Sequence, residues 1–101
     1  MAANFYVSEL LDRYGSILSE KQFRILDGYY NNDLSLSEIA ENEGITRQGV
    51  SDFVKRTEAQ LFELEESLKV CKCIRELKTI ADEVKYGRAD ISVLMDVIDK
   101  I

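Results

Sequence analysis

Apolar side chains recur along this chain at steps of three and four residues, the repeat that gives an α-helix one buried face. A first helix is predicted from Asn4 to Tyr14, with Phe5, Val7, Leu10, Leu11 and Tyr14 inward and Glu9, Asp12 and Arg13 opposite. Gly15 ends it. Ser19, with Gln22 three residues on, has the spacing of a capping box and opens a second helix from Glu20 to Tyr30, whose inward stripe reads Phe23, Leu26 and Tyr30. Asn31, Asn32 and Asp33 form a polar turn. Ser35 with Glu38 repeats the capping spacing and starts a third helix over Leu36 to Asn42. The fourth runs from Arg47 to about Val70 without a stop signal. A fifth helix, or a continuation of the fourth, carries Ile74, Leu77, Ile80, Ala81 and Val84 and ends at Gly87; Asp90 caps a last one with Ile91, Leu94, Ile98 and Ile101. The fold class this predicts is all-α.

Residues 35 to 60 hold the most informative spacing, a short helix, a glycine corner and a second helix, the pattern of a helix-turn-helix. Ile39 and the small Ala40 face the crossing. Gly44 stands where the chain must reverse and positive φ is easiest for glycine. Ile45 is expected to plug the corner and Thr46 to cap the next helix, while Val50 and Phe53 point back at Ile39 and Ala40. Thr46, Arg47, Gln48, Ser51, Lys55 and Arg56 are left for the outward face. Taken alone, polar residues on a helix face are a solvated face; it is the turn spacing that makes this the edge of a nucleic-acid reader, with Arg47, Gln48 and Ser51 toward bases and Lys55 and Arg56 toward phosphates.

Val50, Val54, Thr57, Leu61, Leu64, Leu68 and Cys71 repeat as four-three-four-three-four-three, a heptad seam. Something must cover it: the last helices folding back, or a second copy. A homodimer is expected, with Val54, Leu61, Leu64 and Leu68 as its dimer or packing seam. The organisation expected is a helix-turn-helix domain over residues 1–60 and a helical extension over 61–101, together one compact unit.

Charge adds a constraint. The net charge is −6 over 101 residues, which is awkward for a partner of polyanions. Its distribution softens this, since residues 44–60 carry three basic and two acidic side chains. Lys69, Lys72, Arg75 and Lys78, spaced by three, are a candidate second basic contact to an RNA backbone or an acidic protein. There is no His, which removes the usual general base and metal ligand, and Cys71 with Cys73 cannot supply a structural zinc site. Reduced, buried or half-buried thiols are expected, with no metal, no cofactor and no catalysis. No apolar run reaches membrane-spanning length and no leader precedes the first helix, so a cytoplasmic location is expected. The aromatics sit at helical spacing beside aliphatic residues and are read as core.

The phrases LSEKQ, YYNNDLSLSEIAE and ITRQGVSDFVKRTE resemble the region-four helix-turn-helix of sigma factors, and more closely the YlxM-like proteins, over residues 4 to about 70. The resemblance implies an all-helical regulatory or accessory protein of the signal recognition particle pathway. It also implies that Thr46, Arg47, Gln48, Ser51, Lys55 and Arg56 occupy the nucleic-acid-facing positions. DNA, the particle's RNA and the particle's GTPase are the partners to expect. A DNA-binding transcriptional regulator and a protein-protein adaptor without nucleic-acid contact are the competing functions. No polymerase-binding regions precede the motif, so a complete sigma factor is not expected.

Overall fold

The computed structural model describes residues 4–101 and holds six α-helices and a 3-10 turn: α1 (Phe5–Tyr14), the turn Gly15–Ile17, α2 (Glu20–Asn31), α3 (Leu36–Glu43), α4 (Arg47–Leu68), α5 (Val70–Lys85) and α6 (Ile91–Asp99). The chain divides after Leu68 into two compact units. The sequence spacing puts that junction after residue 60. Leu61 and Glu65, both buried, explain the longer first unit.

Local chemistry starts each helix of the first unit. The Asn4 Oδ1 accepts from the Tyr6 and Val7 N–H groups at 3.1 and 3.2 Å. The Ser19 Oγ accepts from the Gln22 N–H at 3.1 Å while the Ser19 N–H donates to Gln22 Oε1 at 2.9 Å. Ser35 and Glu38 make the same reciprocal pair at 3.0 and 3.2 Å. These bonds satisfy N-terminal donors that have no partner inside the helix.

α4 is the spine of this unit, and α1, α2 and α3 all pack on it. The core is Val7, Leu10, Leu11 and Tyr14 of α1, Leu18, Ile25 and Leu26, Ile39 and Ala40 of α3, and Val50, Val54, Thr57 and Leu61 of α4. Tyr14 donates a 2.6 Å hydrogen bond to Glu65 Oε1, both side chains being buried, and so ties α1 to the far end of α4.

Three expectations about burial are corrected here. Phe5 is 86% exposed, because the buried residues Val7, Leu10, Leu11 and Tyr14 lie about 140–240° around the helix from it, on the opposite face. Tyr30 is half-buried and Phe23 exposed, whereas Ile25 is buried beside Leu26. The Phe23 ring lies against Gly15 instead, so close that a Cβ there would come within 2.7 Å of it. Ile45 is half out of the corner at 37% exposure.

α4 stops at Leu68, where Lys69 takes a left-handed conformation (φ 55°, ψ 32°) that costs a side-chain-bearing residue about 1–2 kcal/mol. No glycine or proline announces that break. In the second unit α5 and α6 pack on each other as a hairpin. Gly87 (φ 73°) makes the turn, and Asp90 Oδ1 accepts from the Ser92 N–H at 3.3 Å to start α6. Cys71 is buried and Cys73 half-buried, both as free thiols. Of the seam read on α6, only Leu94 reaches half-burial; Ile91, Ile98 and Ile101 are exposed.

Candidate nucleic-acid interface

The candidate interface is built around one corner. Gly44, at φ 69° and ψ 31°, lets the chain leave α3 with its own N–H and that of Ile45 both donating to the Ala40 carbonyl. A Cβ at Gly44 would meet nothing within 4 Å. The requirement is therefore the left-handed backbone, not space. Two residues later the Thr46 Oγ1 accepts from the Gly49 N–H at 2.9 Å, capping α4. Thr46 is thus exposed but already engaged.

From that cap α4 presents Arg47, Gln48, Asp52, Lys55 and Arg56 to solvent, with Ser51 half-buried at the edge. Two shallow depressions flank the helix. One is lined by Leu36, Arg47, Gln48 and Ser51. The other is lined by Gly49, Asp52, Lys55 and Arg56. Gln48 Nε2 donates to Asp52 Oδ1 at 3.0 Å, one turn along α4. Asp52 is the acceptor among the cations, a group that repels phosphate but can accept from the exocyclic amine of a cytosine.

A further cation comes from outside the motif. Lys21, in the first turn of α2, places its Nζ 5.4 Å from the Phe53 ring centroid, and its neighbour Gln22 donates to Gln60 Oε1 at 2.9 Å. That contact brings Lys21 to the flank of α4 that carries Phe53 and Arg56. Sequence spacing could not assign it, since it depends on how α2 crosses α4. Arg24 is unavailable by comparison: it pairs with Glu43 through two bonds of 2.8 and 3.0 Å. The hydrogen bond to Glu43 raises the Arg24 pKa, and the same bond holds the Glu43 carboxyl below its ordinary value against a smaller opposing effect of desolvation.

The surrounding field is acidic. Residues 1–68 carry six basic and thirteen acidic side chains, a net −7, and residues 69–101 carry seven and six, a net +1. Cations are therefore concentrated on the α4 edge against an opposing background.

A family model described as "Putative helix-turn-helix protein, YlxM / p13 like", that of UPF0122, matches residues 1–101. This chain belongs to the UPF0122 family. It is 43% identical over 84 residues to a UPF0122 protein of Clostridium perfringens, covering 83% of this chain and 75% of that relative. A UPF0122 protein of Acetivibrio thermocellus is 49% identical over 75 residues, covering 74% of this chain and 64% of that relative. One from Clostridium kluyveri is 43% identical over 107 aligned residues, covering 100% and 93%. The family description agrees with the α3–Gly44–α4 geometry.

The other site residues read from the sequence are dispersed in this UPF0122 chain. Lys69 sits in the break before α5, while Lys72, Arg75 and Lys78 lie on α5. A step of three residues turns a helix by about 300°, so Lys72 and Lys78 stand about 120° apart around the axis and the row does not share one face. Of the seam, Val54 and Leu61 are inside the first unit's own core, Leu64 is half-buried and Leu68 is 54% exposed. The first two serve packing within the chain and are not open to a second copy. At the hairpin turn, Lys85 Nζ and the Arg88 guanidinium both lie 5.4 Å from the Tyr86 ring centroid. Arg88 is also held by Glu83 at 2.9 Å. Among the described residues no cluster of three or more His, Cys, Asp or Glu could hold a metal ion, and no helix is long and apolar enough to cross a membrane.

Proposed function

We propose that this chain is a non-enzymatic regulatory protein that contacts nucleic acid through the N-terminal half of α4 and works, in two copies, in the cytoplasmic signal recognition particle pathway. The observation that carries the nucleic-acid part is the exposed edge Arg47, Gln48, Lys55 and Arg56 on a helix held at its start by Gly44 and Thr46. Helix-turn-helix modules place that end of the second helix in a major groove. The pathway rests on the resemblance to YlxM-like proteins, with the particle's RNA and its GTPase as the partners. A transcriptional regulator reading DNA uses the same edge. Two copies suit the DNA reading, since paired modules read paired half-sites.

One observation favours a second reading. A net −7 on the first unit opposes phosphate, which suits a protein adaptor that meets a basic surface of the GTPase without nucleic acid.

Titrating the protein with duplex DNA, particle RNA and particle GTPase at low and physiological salt separates these readings. Nucleic-acid binding with a steep salt slope supports the first, and binding to the GTPase alone supports the adaptor. Arg47→Ala with Gln48→Ala is expected to abolish nucleic-acid binding at unchanged thermal stability. Undiminished binding by that double variant would remove the α4 edge from the account.

A further inference from the structure

We propose that the cleft between the start of α2 and the middle of α4 is a phosphate site, in which Gln60 and Arg56 donate to the oxyanion and Lys21 adds charge at the rim. The inference rests on the α4 reading above only for the source of the phosphate, so the two can fail separately.

A chain of hydrogen bonds that begins in a helix cap sets the chemistry of this cleft. Gln22 is the third residue of α2, and its Oε1 accepts from the Ser19 N–H at 2.9 Å. Its Nε2 is therefore the end that turns to α4, where it donates to Gln60 Oε1 at 2.9 Å. An amide has one oxygen and one nitrogen, so fixing Gln22 fixes Gln60. The Gln60 oxygen meets α2, and its NH2, a double donor, is left over. Neither Gln60 Nε2 nor the Arg56 guanidinium has a hydrogen-bond partner among the described residues.

Gln22, Phe53, Arg56, Thr57 and Gln60 line the cleft, and no carboxylate is among them. Gln22 is engaged at both ends, Thr57 is buried and Phe53 is an apolar wall. What remains open donates and does not accept, since a guanidinium has no acceptor and its fork matches phosphate oxygens. Lys21 precedes Gln22 and holds its Nζ 5.4 Å from the Phe53 ring centroid, over one wall of the cleft. Glu43 feels the Lys21 charge, but its carboxylate is already bound twice to Arg24. The Lys21 charge is thus left for a ligand.

Size and position favour phosphate. The cleft measures about 240 Å³, the space of about eight water molecules at ~30 Å³ each, which admits a five-atom oxyanion with part of its hydration. Arg47 and Arg56 are nine residues apart, about two and a half helical turns, and so stand on opposite flanks of α4. A helix lying in a groove has a backbone on each side; with Arg47 toward one, this cleft faces the other. A backbone phosphodiester and a free phosphate share the same oxyanion chemistry.

Nuclear magnetic resonance of the full chain tests this through the side-chain N–H signals of Gln60 and Arg56. Inorganic phosphate should move both signals saturably, and acetate at matched ionic strength should not. A short DNA duplex should move the same signals at far lower concentration. Gln60→Glu keeps an oxygen for Gln22 and removes both donors, so the Arg56 response to phosphate should vanish and duplex affinity should fall by about tenfold or more, the worth of one hydrogen bond to a charged group. Gln60→Met should weaken duplex binding without changing its salt slope, whereas Lys21→Met should make the slope shallower by about 0.9; a merely structural role would not separate the two. A phosphate response in a chain that binds no nucleic acid would keep the site, assign it to free phosphate and end the α4 reading. No response to phosphate, an equal response to acetate, or wild-type phosphate binding by Gln60→Glu would each overturn the proposal.

Discussion

Tyr14 and Glu65 form a polar link in a core made mostly of aliphatic side chains, and they join residues 51 apart in sequence. A hydrogen bond to a charged acceptor contributes about 1.5–3 kcal/mol. Tyr14→Phe keeps the ring and removes only the hydroxyl, so a loss of that size in urea unfolding is expected, whereas a loss under 0.5 kcal/mol would show that Glu65 is held by other partners. Arg24 and Glu43 are the opposite case. Arg24 is exposed and Glu43 half-buried, so solvent screens the pair from the Arg24 side and its two hydrogen bonds shift the pKa of each group while adding little stability. The sign is definite. A carboxyl held below its ordinary value contributes stability that is present above the unfolded pKa and lost as pH falls through the folded one. Carbon-detected titration should find Glu43 with a midpoint below that of an ordinary glutamate, moving back toward it in Arg24→Ala. Glu58 runs the other way: desolvation raises its pKa, so lowering the pH favours its folded form.

At the scale of elements, the corner between α3 and α4 depends on backbone conformation more than on contact. Gly44→Ala should cost about 1–2 kcal/mol through the left-handed φ alone, measurable as a shift in the unfolding midpoint, and should weaken nucleic-acid binding only as far as α4 moves. The same replacement at Gly87, also left-handed and with nothing within 4 Å of an added Cβ, should cost a similar amount, and no loss at either position would refute that cause. This corner was legible in the sequence because its chemistry is local: Ser19 with Gln22, Ser35 with Glu38, Gly44 and Thr46 all act within a few residues of themselves. The α4 edge was legible for the same reason, since periodicity alone leaves Arg47, Gln48, Lys55 and Arg56 outside. What spacing cannot show is which part of an apolar face meets its neighbour. Phe23 was read as core but lies over Gly15, and Lys21 reaches α4 only because α2 crosses there. The end of α4 was hidden too, because a lysine in a left-handed conformation leaves no mark that a glycine or proline would.

For the molecule as a whole, charge is divided as unevenly as structure. The first unit holds −7 and still presents Lys21, Arg47, Lys55 and Arg56 on and beside the exposed surface of α4, Arg47 and Arg56 on opposite flanks of it. Salt acts on these two features in opposite directions. Screening over about 10 Å at 0.1 M relieves the repulsion among the carboxylates, so the urea midpoint of the first unit should rise between 50 and about 200 mM NaCl. Four cations meeting phosphates give a slope of about −3.6 in log affinity against log salt, so the same fourfold rise should cost about a hundredfold in nucleic-acid affinity. Stability and binding measured on one protein stock should therefore diverge as salt increases. If affinity holds while the midpoint rises, the α4 edge meets its partner by something other than counterion release, and the basic surface of a protein becomes the partner to seek.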